Sequence, residues 1–90
     1  MMRAIVTVIG KDRVGIIADV CAVLAKNKVN VLDISQTVMQ DYFTMIMMVD
    51  AGECPVPFAE LVKTLEEEGR TLALNIHAQR EDIFNAMHRI

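Results

Sequence analysis

The residues best suited to hold a ligand fall in one short stretch, Gly10-Lys11-Asp12-Arg13-Val14-Gly15, and at Asn30. The stretch leads from a β-branched segment into one with helical spacing. Backbone N–H groups in the first turn of a helix lack internal partners and carry partial positive charge, so such an end accepts a carboxylate or a phosphate. Gly15 has no Cβ and lets a ligand or a neighbouring backbone come close. Asn30 opens the next strand, whose start is expected near the loop. Its amide can donate to a carboxylate and accept from an ammonium. Together these groups would clamp an amino acid by its common backbone. The same residues also read as plain architecture: glycines that shape a turn, Asp12 as a helix cap and Asn30 as a strand start.

Other reactive types carry less. Lys11 and Arg13 flank the loop and read as solvated charges, with attraction of an anion as the alternative. Cys21 sits beside a helical apolar stripe as a core thiol. Cys54 precedes Pro55 with no His or basic pair near it in sequence to activate it. His77 and His88 are not at metal-ligand spacing, so no metal site is expected. Glu66-Glu67-Glu68 reads as a solvated helix end. No Ser-His-Asp set or paired carboxylates stand out, so neither catalytic residues nor a cofactor are expected.

The elements that must position the loop follow from periodicity. Residues 3–9 are β-branched and form a buried strand ended by Gly10. From 15 to 27, Ile16, Ile17, Val20, Val23 and Leu24 recur at spacings of three and four, which is a helix stripe. Residues 29–40 alternate as a strand, with Asn30, Leu32, Ile34, Gln36 and Val38 facing one way and Val31, Asp33, Ser35, Thr37 and Met39 the other. A turn at Gln40-Asp41 joins it to a strand over 42–50. Pro57 suits a helix's first turn, Phe58, Leu61, Val62 and Leu65 mark its buried face, and Gly69 caps its end. A strand over 71–79 carries Leu72, Leu74, Ile76 and Ala78 on one side. Residues 81–90 close the chain as a tail helix with Ile83, Phe84 and Met87 as contacts.

This order predicts an α+β, ferredoxin-like βαββαβ sandwich. Right-handed crossovers put two helices on one face of a four-stranded antiparallel sheet, with a short C-terminal helix added. Ile5, Thr7, Ile9, Asp33, Ser35, Thr37, Met39, Ala73, Asn75 and His77 are expected on the open face. Their mix of polar and apolar groups suits partial cover by a partner.

Composition bounds the function. Ninety residues make one domain, and a chain this short buries only about 60% of its unfolded surface, so self-association is expected. The 53% apolar content argues against disorder. A net charge of −3 disfavours a nucleic-acid binder, and no Lys/Arg-Gly-Phe-type strand motif marks an RNA platform. No apolar run is long enough to span a membrane. The start, Met1-Met2-Arg3-Ala4, lacks a signal peptide's cleavage site, and two cysteines make no disulfide framework, so the cytoplasm is the expected compartment.

Val8-Ile9-Gly10-Lys11-Asp12-Arg13-Val14-Gly15-Ile16-Ile17-Ala18, followed after the helix by Asn30-Val31-Leu32-Asp33-Ile34, resembles the ACT-domain family over nearly the whole chain. The resemblance implies a βαββαβ unit that pairs side by side or face to face as a homodimer. It also implies a small-molecule ligand, commonly an amino acid, between the first loop and the start of a neighbour's second strand. Carried to matching positions, it points to Asp12, Gly15, Asn30, Val31 and Leu32. Many relatives have Pro where this chain has Val14. Most are joined to an enzyme or a DNA-binding domain, whereas this chain is expected to be the ACT unit alone over 1–90, with a core over 1–80. Its output is then expected through a separate partner protein. Two other readings stand beside this one: a pairing module without ligand, and an acylphosphatase-like enzyme using Arg13. The second needs an Asn on the central strands, which Asn30 and Asn75 do not clearly supply.

Overall fold

Alternation along the strands divides the sheet into a packed and an open face. The computed structural model describes residues 1–83. Its elements run β1 (Arg3–Lys11), α1 (Ile16–Lys26), β2 (Asn30–Met39), β3 (Tyr42–Asp50), α2 (Phe58–Thr71) and β4 (Leu74–Arg80). The four strands lie in the order β2-β3-β1-β4, and every neighbouring pair is antiparallel. This is the expected split βαβ architecture.

On the packed face Ala4, Val6 and Val8 of β1, Phe43, Met45, Met47 and Val49 of β3, and Leu74, Ile76 and Ala78 of β4 join one core. The helices close it with Ile16, Val20, Val23 and Leu24 of α1 and Leu61 and Leu65 of α2. With so few aromatics, methionines fill the centre: Met45 and Met47 have no exposed surface. The open face carries Thr7, Ile9, Ser35, Thr37, Thr44, Ile46 and His77 in facing register. Ile5 also faces this way, yet is only 9% exposed.

Three features differ from the expectation. β1 continues through Gly10 to Lys11, because Gly10 pairs with both Phe43 and Leu74. α2 does not stop at Gly69 but continues to Thr71, and β4 starts at Leu74. Gly69 is buried inside the helix, where an added Cβ would stand 2.8 Å from the Leu74 carbonyl oxygen and 2.9 Å from Ile76 Cγ1. Its missing side chain lets α2 settle onto β4, so close approach rather than capping is its role. Ala73 belongs to the turn, with a left-handed φ of 59°, and is not part of the open strand face.

The third difference is a bulge. Val31 pairs with Val49 but Asp33 pairs with Met48, leaving Leu32 extra. The extra residue breaks the alternation. Asn30 therefore lies on the open side and Val31 on the packed side, the reverse of simple alternation. Residues 81–83 are helical. The rest of the expected tail helix, with Phe84, Met87 and His88, lies outside the described residues.

Candidate ligand site

The strand-to-helix loop is shaped by one left-handed glycine. Gly15 has φ 89° and is the residue that starts α1. Its carbonyl accepts from the Asp19 N–H at 2.9 Å, the first bond of the helix ladder. No side chain caps the N–H groups ahead of it. Asp12 does not cap the helix: its backbone N–H donates to the Asp41 carbonyl at 2.8 Å, tying the loop to the β2–β3 turn. A Cβ at Gly15 would meet nothing within 4 Å, so the glycine answers to backbone conformation rather than to a crowded wall. Val14 beside it is 98% exposed. The loop thus offers open helix N–H groups, an exposed Asp12 carboxylate and an apolar tip.

Arg13 is not a free loop charge. Its Nη1 donates to Asp19 Oδ2 at 3.0 Å and to the Val14 carbonyl at 3.2 Å, while Nη2 donates to the Leu72 carbonyl at 3.3 Å. A guanidinium committed to a carboxylate and two carbonyls has fewer donors left for a phosphate, which weakens the phosphate-cradle reading. Sequence spacing held no signal for these contacts, because Leu72 is 59 residues away.

Asn30 lies far from the loop. It pairs with Asp50, which pairs with Arg3 at the start of β1, whereas the loop leaves from Lys11 at the other end. At about 3.3 Å per residue the two ends are about 26 Å apart. Asn30 borders a groove of about 550 Å³ with Lys28, Val29, Asp50 and Glu53. Two carboxylates against one ammonium make its surroundings net acidic, which suits a cation. Val31 is half-buried and Leu32 is 42% exposed at the bulge. One chain therefore groups Asn30, Val31 and Leu32 at one end and Asp12 and Gly15 at the other.

Another groove, of about 590 Å³, is lined by none of these residues and runs beside β4 between Arg70 and His77. Among the described residues no cluster of three or more His, Cys, Asp or Glu is placed to hold a metal. No helix among them is long and apolar enough to cross a membrane. Cys21 and Cys54 are both free thiols.

A family model described as ACT domain matches residues 3–79. The chain belongs to the ACT-domain family. This ACT domain is 54% identical over 89 residues to a UPF0237 protein of Clostridium acetobutylicum, covering 99% of this chain and 100% of that one. It is 52% identical over 90 residues to a UPF0237 protein of Methanocaldococcus jannaschii, covering the whole of both. Among solved structures it matches an ACT domain protein from Streptococcus pneumoniae with a TM-score of 0.83 and 44% identity, over 97% of this chain and 98% of the other. The loop and strand start described above are the segments on which the resemblance rested.

Proposed function

We propose that this ACT domain is a cytoplasmic regulatory module, one domain over 1–90, that binds a small zwitterion such as an amino acid between two copies of itself. It is a binding protein rather than an enzyme, and its output passes through a separate partner. The observation that carries this is the opposite placement of the two half-sites. Within one chain Asn30 and the loop lie at the two ends of the sheet. Two-fold pairing of β2 edges runs the strands antiparallel, which carries one copy's Asn30 to the level of the other copy's loop.

Both half-sites suit a zwitterion. The open N–H groups of α1 favour a carboxylate. The groove at Asn30, with Asp50 and Glu53, favours an ammonium. The edge supports pairing as well. Nine of ten β2 residues are exposed, and Leu32, Ile34, Val38 and Met39 among them are apolar. A long apolar edge strand invites another strand.

Ultracentrifugation and a thermal-shift screen against the twenty standard amino acids test this reading. The expected species has twice the chain mass and binds two ligands per dimer. Saturation at one hundred times the dissociation constant should stabilise it by about 2.7 kcal/mol. Asn30→Ala should weaken binding about ten- to a hundredfold by removing hydrogen bonds to charged ligand ends. Glu67→Ala should leave binding unchanged. A clean monomer at high concentration, or an Asn30→Ala variant that binds as tightly as wild type, would overturn the shared site.

A further inference from the structure

The Arg13 side chain joins its own loop and the first turn of α1 to the end of α2, 59 residues away in sequence. Nη1 reaches Asp19 in the first turn of α1, and the same nitrogen holds the Val14 carbonyl next to Gly15. Nη2 reaches the carbonyl of Leu72, the residue that ends α2. Carbonyls at a helix C-terminus lack internal partners and carry partial negative charge, so a guanidinium is well matched there. The loop also touches this corner at its root. A Cβ on Gly10 would stand 2.5 Å from Leu74 Cδ2 and 3.4 Å from the Ala73 carbonyl oxygen. The loop is thus held to the α2–β4 corner at its entry by packing and at its middle by Arg13. Ala73 and Leu74 of that corner also line the 590 Å³ groove.

Charge adds a second consequence. Asp19 places a carboxylate in the first turn of α1, close to the N–H groups that would receive a ligand's carboxylate. Left alone, it would oppose an anionic group there. The ion pair with Arg13 offsets it.

We propose that Arg13 is the positioning residue of the ligand loop, fixing the receptive arrangement, neutralising Asp19 and tying the loop to the α2–β4 corner. It acts without touching the ligand. The inference rests on the reading of the loop as a carboxylate receptor, and it adds a route by which occupancy of the loop reaches the C-terminal end of α2.

Arg13→Ala, Arg13→Lys and the double variant Arg13→Ala/Asp19→Asn test it in the full chain. The first measurement is hydrogen exchange without ligand. In Arg13→Ala, exchange should quicken at residues 12–18 and at 72–74 together, with the melting temperature near that of wild type. The second is calorimetric titration with whichever of the twenty amino acids stabilises wild type. Affinity should fall about tenfold, the equivalent of one charge-assisted hydrogen bond. Arg13→Lys should recover part of it, since one ammonium replaces some but not all of the contacts. The double variant should recover the part due to Asp19. Exchange that stays at the wild-type rate at 72–74, or Arg13→Ala binding as tightly as wild type, overturns the positioning role. If wild type binds none of the twenty, the ligand reading fails by that result, and the exchange at the two regions still decides the role of Arg13.

Discussion

Strands β2 and β4 are both edges of the sheet, yet β4 buries Leu74, Ile76 and Ala78 under α2 while β2 buries no residue. Their sequences do not announce the difference, since both alternate and both carry aliphatic residues. The cause lies in the helices above them. Gly69 lets α2 settle onto β4 so closely that an added Cβ would stand 2.8 Å from the Leu74 carbonyl oxygen. On the other side α1 leaves Ala18, Ala22 and Ala25 exposed, and Ile34 and Val38 of β2 remain 39% and 52% exposed. One edge is completed by its own chain. The other has apolar residues that stay exposed among the described residues, which is the physical ground for reading it as the pairing edge.

The largest expected effect separates the two edges directly. Ile76→Ala on β4 removes a side chain that is 1% exposed and should cost about 2–5 kcal/mol in urea unfolding. Val38→Ala on β2, measured where the chain is monomeric, should stay within about 0.5 kcal/mol and should instead weaken self-association. Equal losses at the two positions would mean that β2 is as well packed within one chain as β4.

Gly69→Ala sharpens the account of why β4 is covered. Helix propensity alone favours the alanine by about 1 kcal/mol. The new Cβ, however, would lie under 3 Å from a backbone oxygen and from Ile76. Overpacking of this kind costs about 1–3 kcal/mol, so the variant should melt lower than wild type. A higher melting temperature would show that α2 can lift from the strand without loss.

Gly15→Ala contrasts an uncrowded glycine with a crowded one. No atom lies within 4 Å of its missing Cβ, so only the left-handed backbone resists substitution. The loss should be about 1–2 kcal/mol, and Gly15→Asn should lose less because Asn visits this region readily. Equal losses for Ala and Asn in chemical denaturation would point to a steric cause instead.

The sequence by itself determined the order of the elements, the hairpin at Gln40-Asp41, the start of α2 after Pro57 and the loop before α1. These depend on local periodicity and on the dihedral limits of proline and glycine, which act within a few residues. Tertiary contacts decided the rest. Gly69 resembled a helix end because glycine commonly marks one, and only the closeness of β4 explains a glycine inside α2. The bulge at Leu32 depends on register with β3, so alternation along β2 misplaced Asn30 and Val31. Asn30 and Gly15 were expected near each other, but the lengths of β1 and β2 hold them at opposite ends of the sheet. Arg13 looked like a solvated charge because its partner Leu72 is distant in sequence and close only once α2 has packed.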